Sequence, residues 1–193
     1  MTLTRRTFVT AAGGGAALLV AGCGDDEEEP REGPPRGDLD VVNYALTLEF
    51  LEEDFYEAVV SSGVLGGREA DLAKKIRDNE SEHVQALSAV AKDLGKPVDR
   101  PATTFESVLE RGRDGVISVA ADLEGTGAAA YLAEAAKITT AEILASALAI
   151  HTVEARHAAI LNLLAGRSPL PDGAFATPLE RREVQRRIAG FLA

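Results

Sequence analysis

Tryptophan is absent from this chain, methionine occurs once, at Met1, and cysteine once, at Cys23. A single cysteine excludes an intramolecular disulfide and any zinc or iron–sulfur site assembled from several thiolates. Aromatic residues are scarce at 5%, while alanine and leucine abound, a balance that favours helix over sheet. Basic residues are outnumbered, 20 Lys and Arg against 31 Asp and Glu; the net charge of −11 argues against nucleic acid as a partner. There is no Gly-x-Ser-x-Gly and no usable Cys–His pair, so nucleophilic hydrolysis has no support.

The N-terminus carries an export pattern. Thr4-Arg5-Arg6-Thr7-Phe8-Val9 resembles a twin-arginine signal. The apolar run that follows, Ala11 to Ala21, is too short and too rich in glycine (Gly13, Gly14, Gly15) to span a bilayer comfortably. Val20-Ala21-Gly22-Cys23 resembles a bacterial lipobox, whose cysteine is lipidated and becomes the new N-terminus. The alternative is an ordinary signal peptide cut nearby, but the only cysteine stands where the lipobox requires one. Residues 1–22 are therefore expected to be a signal peptide. Residues 23–37 are expected to be a lipid-anchor cysteine and a disordered acidic Pro/Gly tether, residues 38–166 a folded unit, and 167–193 a tail with a short helix. This reading places the protein outside the cytoplasm, in the cell envelope, held to the membrane through Cys23.

Apolar periodicity gives four long helices. The first starts near Asp38 or Asp40, either of which can cap it, and ends at Ser62 before Gly63. A second runs from Arg68 to Leu94 and stops at Gly95. A long connection, 95–116, follows, with a helical patch from Phe105 to Arg111 broken by Gly112 and Gly115. The third helix is expected over Val116–Lys137, with Gly125 and Gly127 inside it as a close approach or a kink. The fourth runs from Thr140 to Gly166. Thr177-Pro178-Leu179-Glu180 reads as a capping box that opens a last short helix, with Val184, Ile188 and Leu192 packing on the bundle.

Acids interrupt the apolar stripe of every long helix. The fourth reads Leu144, Ala147, Ile150, Glu154, His157, Leu161, Leu164, and the second reads Leu72, Ile76, Glu80, His83, Leu87, Val90, Leu94. The first carries Glu49 and Glu53 with Tyr56, and the third carries Glu124 with Tyr131. A buried carboxylate costs several kcal/mol, on the order of the penalty for any unpaired ion, unless it is neutralised, paired or bound to a cation. Glu-x-x-His on an inner helix face is half of one recurring solution, a metal held by a carboxylate and an imidazole. His151, one turn before Glu154, is either a group that supports the site or a partly exposed helix histidine.

The set occurs twice. Glu49 and Tyr56 map onto Glu124 and Tyr131 with an offset of 75, and Glu80 and His83 map onto Glu154 and His157 with an offset of 74. Over residues 39–166 the chain resembles the ferritin-like di-metal carboxylate proteins, most closely the exported ferritin-like domain proteins of bacteria. The resemblance implies an all-α, four-helix ferritin-like bundle with one long crossover between helices two and three, plus the short C-terminal helix. It implies Glu49, Glu80, His83, Glu124, Glu154 and His157 as six metal ligands, with Glu80 and Glu154 bridging. Tyr56 and Tyr131 would each hydrogen-bond a ligand carboxylate from behind. The chain departs from rubrerythrins in lacking a rubredoxin-like cysteine cluster, and from bacterioferritins in lacking a methionine for haem.

Four carboxylates and two imidazoles suit two Fe or Mn ions better than Zn. The expected partners are thus metal ions, with O₂, peroxide or Fe(II) as substrates of a ferroxidase, peroxidase or catalase; a homodimer is compatible with the bundle. The alternative is an envelope lipoprotein that binds metal without turnover, or keeps the bundle for structure alone. A glycosidase-type carboxylate pair is disfavoured, because acids facing into a bundle leave no open cleft for a sugar.

Overall fold

The computed structural model describes residues 36–193, and among them every regular element is a helix. The signal segment, Cys23 and the tether through residue 35 lie outside the described residues. Helix α1 spans Arg36–Ser62, α2 Gly67–Leu94, α3 Glu106–Leu109, α4 Gly112–Ala135, α5 Ala141–Leu164 and α6 Arg181–Ile188, followed by a 3₁₀ turn at Ala189–Phe191. No described helix is long and apolar enough to cross a membrane.

Two hairpins, α1/α2 and α4/α5, make the bundle, with α1 packed on α4. The crossover between them runs along α1. Val98 N–H donates to Asn43 Oδ1 (2.8 Å), and further on Arg100 Nη1 bonds Asp54 Oδ1 (2.5 Å) with its guanidinium 4.3 Å above the Phe50 ring. Phe105 then seats edge-on against Phe55, ring centres 5.4 Å apart. The C-terminal tail ties onto this connection: Thr104 N–H donates to Phe191 O and Ala193 N–H to Ala102 O.

Several expected boundaries shift, each for a local reason. Asp38 and Asp40 lie inside α1 rather than at its cap. The buried Asp38 carboxylate instead accepts the backbone N–H groups of Thr139 and Thr140, both at 2.9 Å, and so caps the start of α5. Helix α4 begins at Gly112, a turn ahead of Val116. Gly112 takes φ +67° and alone makes the break from α3; Gly115 remains helical, its missing side chain making room for Arg111. The Thr177–Glu180 capping box does not form. Leu179 N–H is committed to Ala129 O, Glu180 becomes the N-cap, and α6 starts at Arg181. Val184 and Ile188 are buried, whereas Leu192 is exposed and Phe191 packs in its place.

The interior is layered. One apolar cluster gathers Phe55, Tyr56, Ile76, Ile117 and Leu161; the other gathers Val42, Leu46, Val84, Leu87, Tyr131 and Ile150. Along each long helix the acids of the stripe fall between these clusters. Burying the clusters, at about 25 cal/mol per Å² of apolar surface, is what holds a charged layer at mid-bundle.

Candidate metal centre

Glu49 from α1, Glu80 from α2, Glu124 from α4 and Glu154 from α5 meet at mid-bundle with 0% exposure, and His83 and His157 flank them. The six fall into two sets of four, Glu49–Glu80–His83–Glu154 and Glu80–Glu124–Glu154–His157. In each set one donor atom per residue lies within 4.8 Å of the others. Glu80 and Glu154 belong to both sets. Spacing of three residues puts each Glu and its His on one face of the helix, which is why both sets form from i, i+3 pairs.

Both histidines aim Nδ1 inward. His83 Nδ1 lies 3.1 Å from Glu49 Oε2, 3.0 Å from Glu80 Oε2 and 3.2 Å from Glu154 Oε1. His157 Nδ1 lies 3.0 Å from Glu124 Oε2 and 3.2 Å from Glu80 Oε1. One nitrogen carries at most one proton, so it cannot satisfy three carboxylates. Glu80 Oε1 and both oxygens of Glu154 are left buried without a hydrogen bond. Buried orphan acceptors of this kind are rare in a stable interior, and converging on a shared point they fit a cation. On its outer side, His157 Nε2 sits 3.0 Å from the Asn79 side-chain amide. Asn79 Nδ2 is the atom that faces the ring and it donates to Nε2, which puts the proton of a neutral imidazole on Nδ1, toward Glu124 and Glu80.

The tyrosines cross over. Tyr56 of α1 donates to Glu124 Oε1 of α4 (2.6 Å), and Tyr131 of α4 donates to Glu49 Oε1 of α1 (2.5 Å). Each tyrosine therefore serves the acid of the opposite half, coming from the apolar cluster on its own side. Burial, then the charges of Glu124 and Glu49 respectively, hold both phenols well above the usual tyrosine range, so they remain donors.

Crowding sets the protonation. Burial, and then the nearby Glu124, raise the Glu80 carboxyl to about 7 against the pull of His157 and His83. Glu154 is pushed well up by burial and by Glu80, Glu124 and Glu49. Burial alone would lower both imidazoles, but their carboxylates win. His157 rises to about 9 through Glu124 and Glu80, and His83 rises further through Glu154, Glu49 and Glu80. Without a cation this centre retains protons that its groups would lose in water.

Two expectations need correction. Glu53, assigned to the inner stripe, is half-buried and turned toward Arg100 of the crossover; the inward acid is Glu52, 3% exposed. Gly127 marks a close approach, since a Cβ there would lie 2.9 Å from Glu52 Oε1, whereas Gly125 faces open space. His151 stands apart from both donor sets, its Nδ1 2.9 Å from the Ala128 carbonyl.

Comparison with known proteins agrees with this arrangement. No curated protein matches the chain. A family model described as the ferritin-like domain, however, matches residues 37–167, which takes in all four long helices and every residue of the two donor sets. By that match and by its helical bundle, the chain belongs to the ferritin-like domain family.

Proposed function

We propose that the bundle holds two Fe or Mn ions between Glu49, Glu80, His83, Glu124, Glu154 and His157, with Glu80 and Glu154 shared, and acts as an oxidoreductase on O₂, peroxide or Fe(II). The observation that carries this reading is the sharing itself: two four-residue donor sets overlap in two buried carboxylates with unpartnered oxygens. Four carboxylates and two neutral imidazoles carry a charge that two divalent cations cancel, and oxygen-rich donors favour Fe or Mn. A pair of such ions, held by these residues, would supply or accept the electrons for reaction with O₂, peroxide or Fe(II).

The chain's own residues bind, orient and exclude. Tyr56 and Tyr131 fix the outer oxygens of Glu124 and Glu49, leaving the inner ones toward the histidines. The apolar clusters on both sides keep bulk water out. The acids expose nothing and the imidazole side chains only 11% and 9%, so a substrate has to be small. The same closure favours a second reading, a bundle that holds metal without turnover.

Metal analysis of protein from its native envelope, followed by Fe(II) oxidation and peroxide consumption, decides between them. Two ions per chain and turnover that vanishes in His83→Ala and His157→Ala support the oxidoreductase. Two ions and no turnover leave the binding protein, and no bound metal refutes both.

The envelope location is part of the proposal and rests on Arg5, Arg6 and Cys23. Replacing both arginines by lysine should strand precursor in the cytoplasm. Cys23→Ser should free the protein from membranes; association that survives the change would remove the lipid anchor.

A further inference from the structure

The internal repeat fails at one inward position. Carried forward by the offset of 75 that maps Glu49 onto Glu124, Glu52 lands on Gly127. The structure sets these two against each other: a Cβ on Gly127 would stand 2.9 Å from Glu52 Oε1 and 3.4 Å from Glu154 Oε2. One half of the bundle supplies a fifth acid, and the other half supplies the space it occupies.

Glu52 differs from the other buried acids that stand outside the two donor sets. Glu134 is held by Lys137 and Arg181, and Asp38 by the N–H groups at the start of α5. Glu52 Oε2 is buried with no hydrogen-bond partner. Its charged neighbours are the centre's own carboxylates, Glu154 foremost, then Glu124, Glu49 and Glu80. The adjacent Glu53 and Asp54 are paired with Arg100, and among the described residues no ion pair reaches Glu52.

We infer that Glu52 is a seventh metal-facing donor, a carboxylate that serves one side of the centre, beside Glu154, and that Gly127 exists to admit it. Resting on the two-ion reading above, this makes the two metal positions chemically unequal: seven donors cannot be divided evenly between pseudo-equivalent ions. The cation class is the same oxygen-preferring divalent one.

Titration of the full chain with Co(II), read by visible absorption and by metal content, tests this. Wild type should take two ions with unequal affinities. Glu52→Gln keeps the size and removes the charge; it should weaken one of the two sites by about ten- to a hundredfold, the usual range for groups that support a metal site, and change the absorption spectrum. Glu53→Gln is the control and should leave both ions unchanged. Gly127→Ala should shift the same site by displacing Glu52, and the double variant should be no weaker than Glu52→Gln alone, since both act through one carboxylate. If Glu52→Gln fails to fold, Gly127→Ala decides by itself. Unchanged affinity and spectrum in the folded variants, with both ions lost in Glu80→Ala, would overturn the role of Glu52 and leave the two-ion centre standing. A wild type that takes up no Co(II) overturns both.

Discussion

Glu134 near the end of α4 and Glu154 in the middle of α5 are the same residue type, buried to nearly the same degree, at 3% and 0% exposure. Around Glu134 the chain provides its own cations. Lys137 Nζ lies at 2.7 Å and Arg181 Nη2 at 2.7 Å, and the latter guanidinium is steadied by Asp40 and by the face of Tyr44. Burial pushes the Glu134 carboxyl up, but Arg181 and Lys137 bring it below the ordinary value. Around Glu154 burial and then Glu80, Glu124 and Glu49 push the same way, and His83 opposes them without prevailing. A buried acid needs a partner, and a positive charge is the strongest one. At one end of the bundle that charge is encoded in the sequence; at the centre only His83 and His157 face the acids, and on the proposal above a metal supplies the rest.

The strongest way to break this contrast is to remove a shared acid. Glu80→Ala or Glu154→Ala should take bound metal from two ions per chain to near zero, because each serves both sets. Elemental analysis of purified variants reads this directly. In metal-free protein the two regions should respond with opposite sign. Glu154→Gln relieves repulsion and should raise the unfolding free energy, whereas Arg181→Met strands Glu134 and should lower it, each by roughly 1–3 kcal/mol, the latter nearer the low end because Arg181 is 29% exposed. Chemical denaturation of apo protein would show it; two shifts of the same sign would dissolve the distinction.

The inward acids explain how far the sequence could be read. The six residues of the two donor sets were legible because each Glu-x-x-His repeats on an apolar stripe and each outlying Glu repeats with a Tyr. Glu52 was not. At roughly 100° per residue, Glu53 lies about 40° from Glu49 around the helix and Glu52 about 60° on the other side, so periodicity preferred the wrong neighbour. Arg100 from the crossover and Gly127 from α4 settle the choice, and both are far away in sequence. Asp38 misled for the same reason, capping a helix that begins a hundred residues later. The four helices and the crossover were readable because local pattern fixes them, and the departures arise where a distant partner claims a side chain or an N–H.

Acidity sharpens the comparison further. Glu134 has a lowered pKa, so its contribution is present above the unfolded value of 4.5 and is lost as pH falls through the folded one. The centre works the other way. Glu80 rises from 4.5 to about 7 and His157 from 6.5 to about 9, so the apo fold holds protons that the unfolded chain releases. That contribution is complete below the unfolded values and is lost as pH climbs through about 7 and about 9. Apo protein should therefore melt progressively lower as pH rises from about 5 to about 9. With metal added the trend should reverse, because cations displace these protons and bind better as pH rises. An apo melting temperature that rises over this range would contradict the picture of the centre.

The finest probe is Tyr56→Phe, which deletes one hydroxyl and keeps the ring. It should cost about 1 kcal/mol, the order of one buried hydrogen bond, and leave metal content at two. Fe(II) oxidation should slow if Glu124 needs that bond for its orientation. Loss of metal in this variant would mean that the phenol carries more of the site than a single contact.

The layered interior has a consequence for cooperativity. The two apolar clusters touch different stretches of the same four helices, and the layer that separates them is repulsive when empty of cations and cohesive when filled. On the two-ion proposal, the ions would act as a joint between two partial cores. Filled, the joint should make the bundle open as one unit. Emptied, it should let each cluster open with its own free energy, so amide exchange across α1 and α5 would resolve into two protection classes where the loaded protein has one.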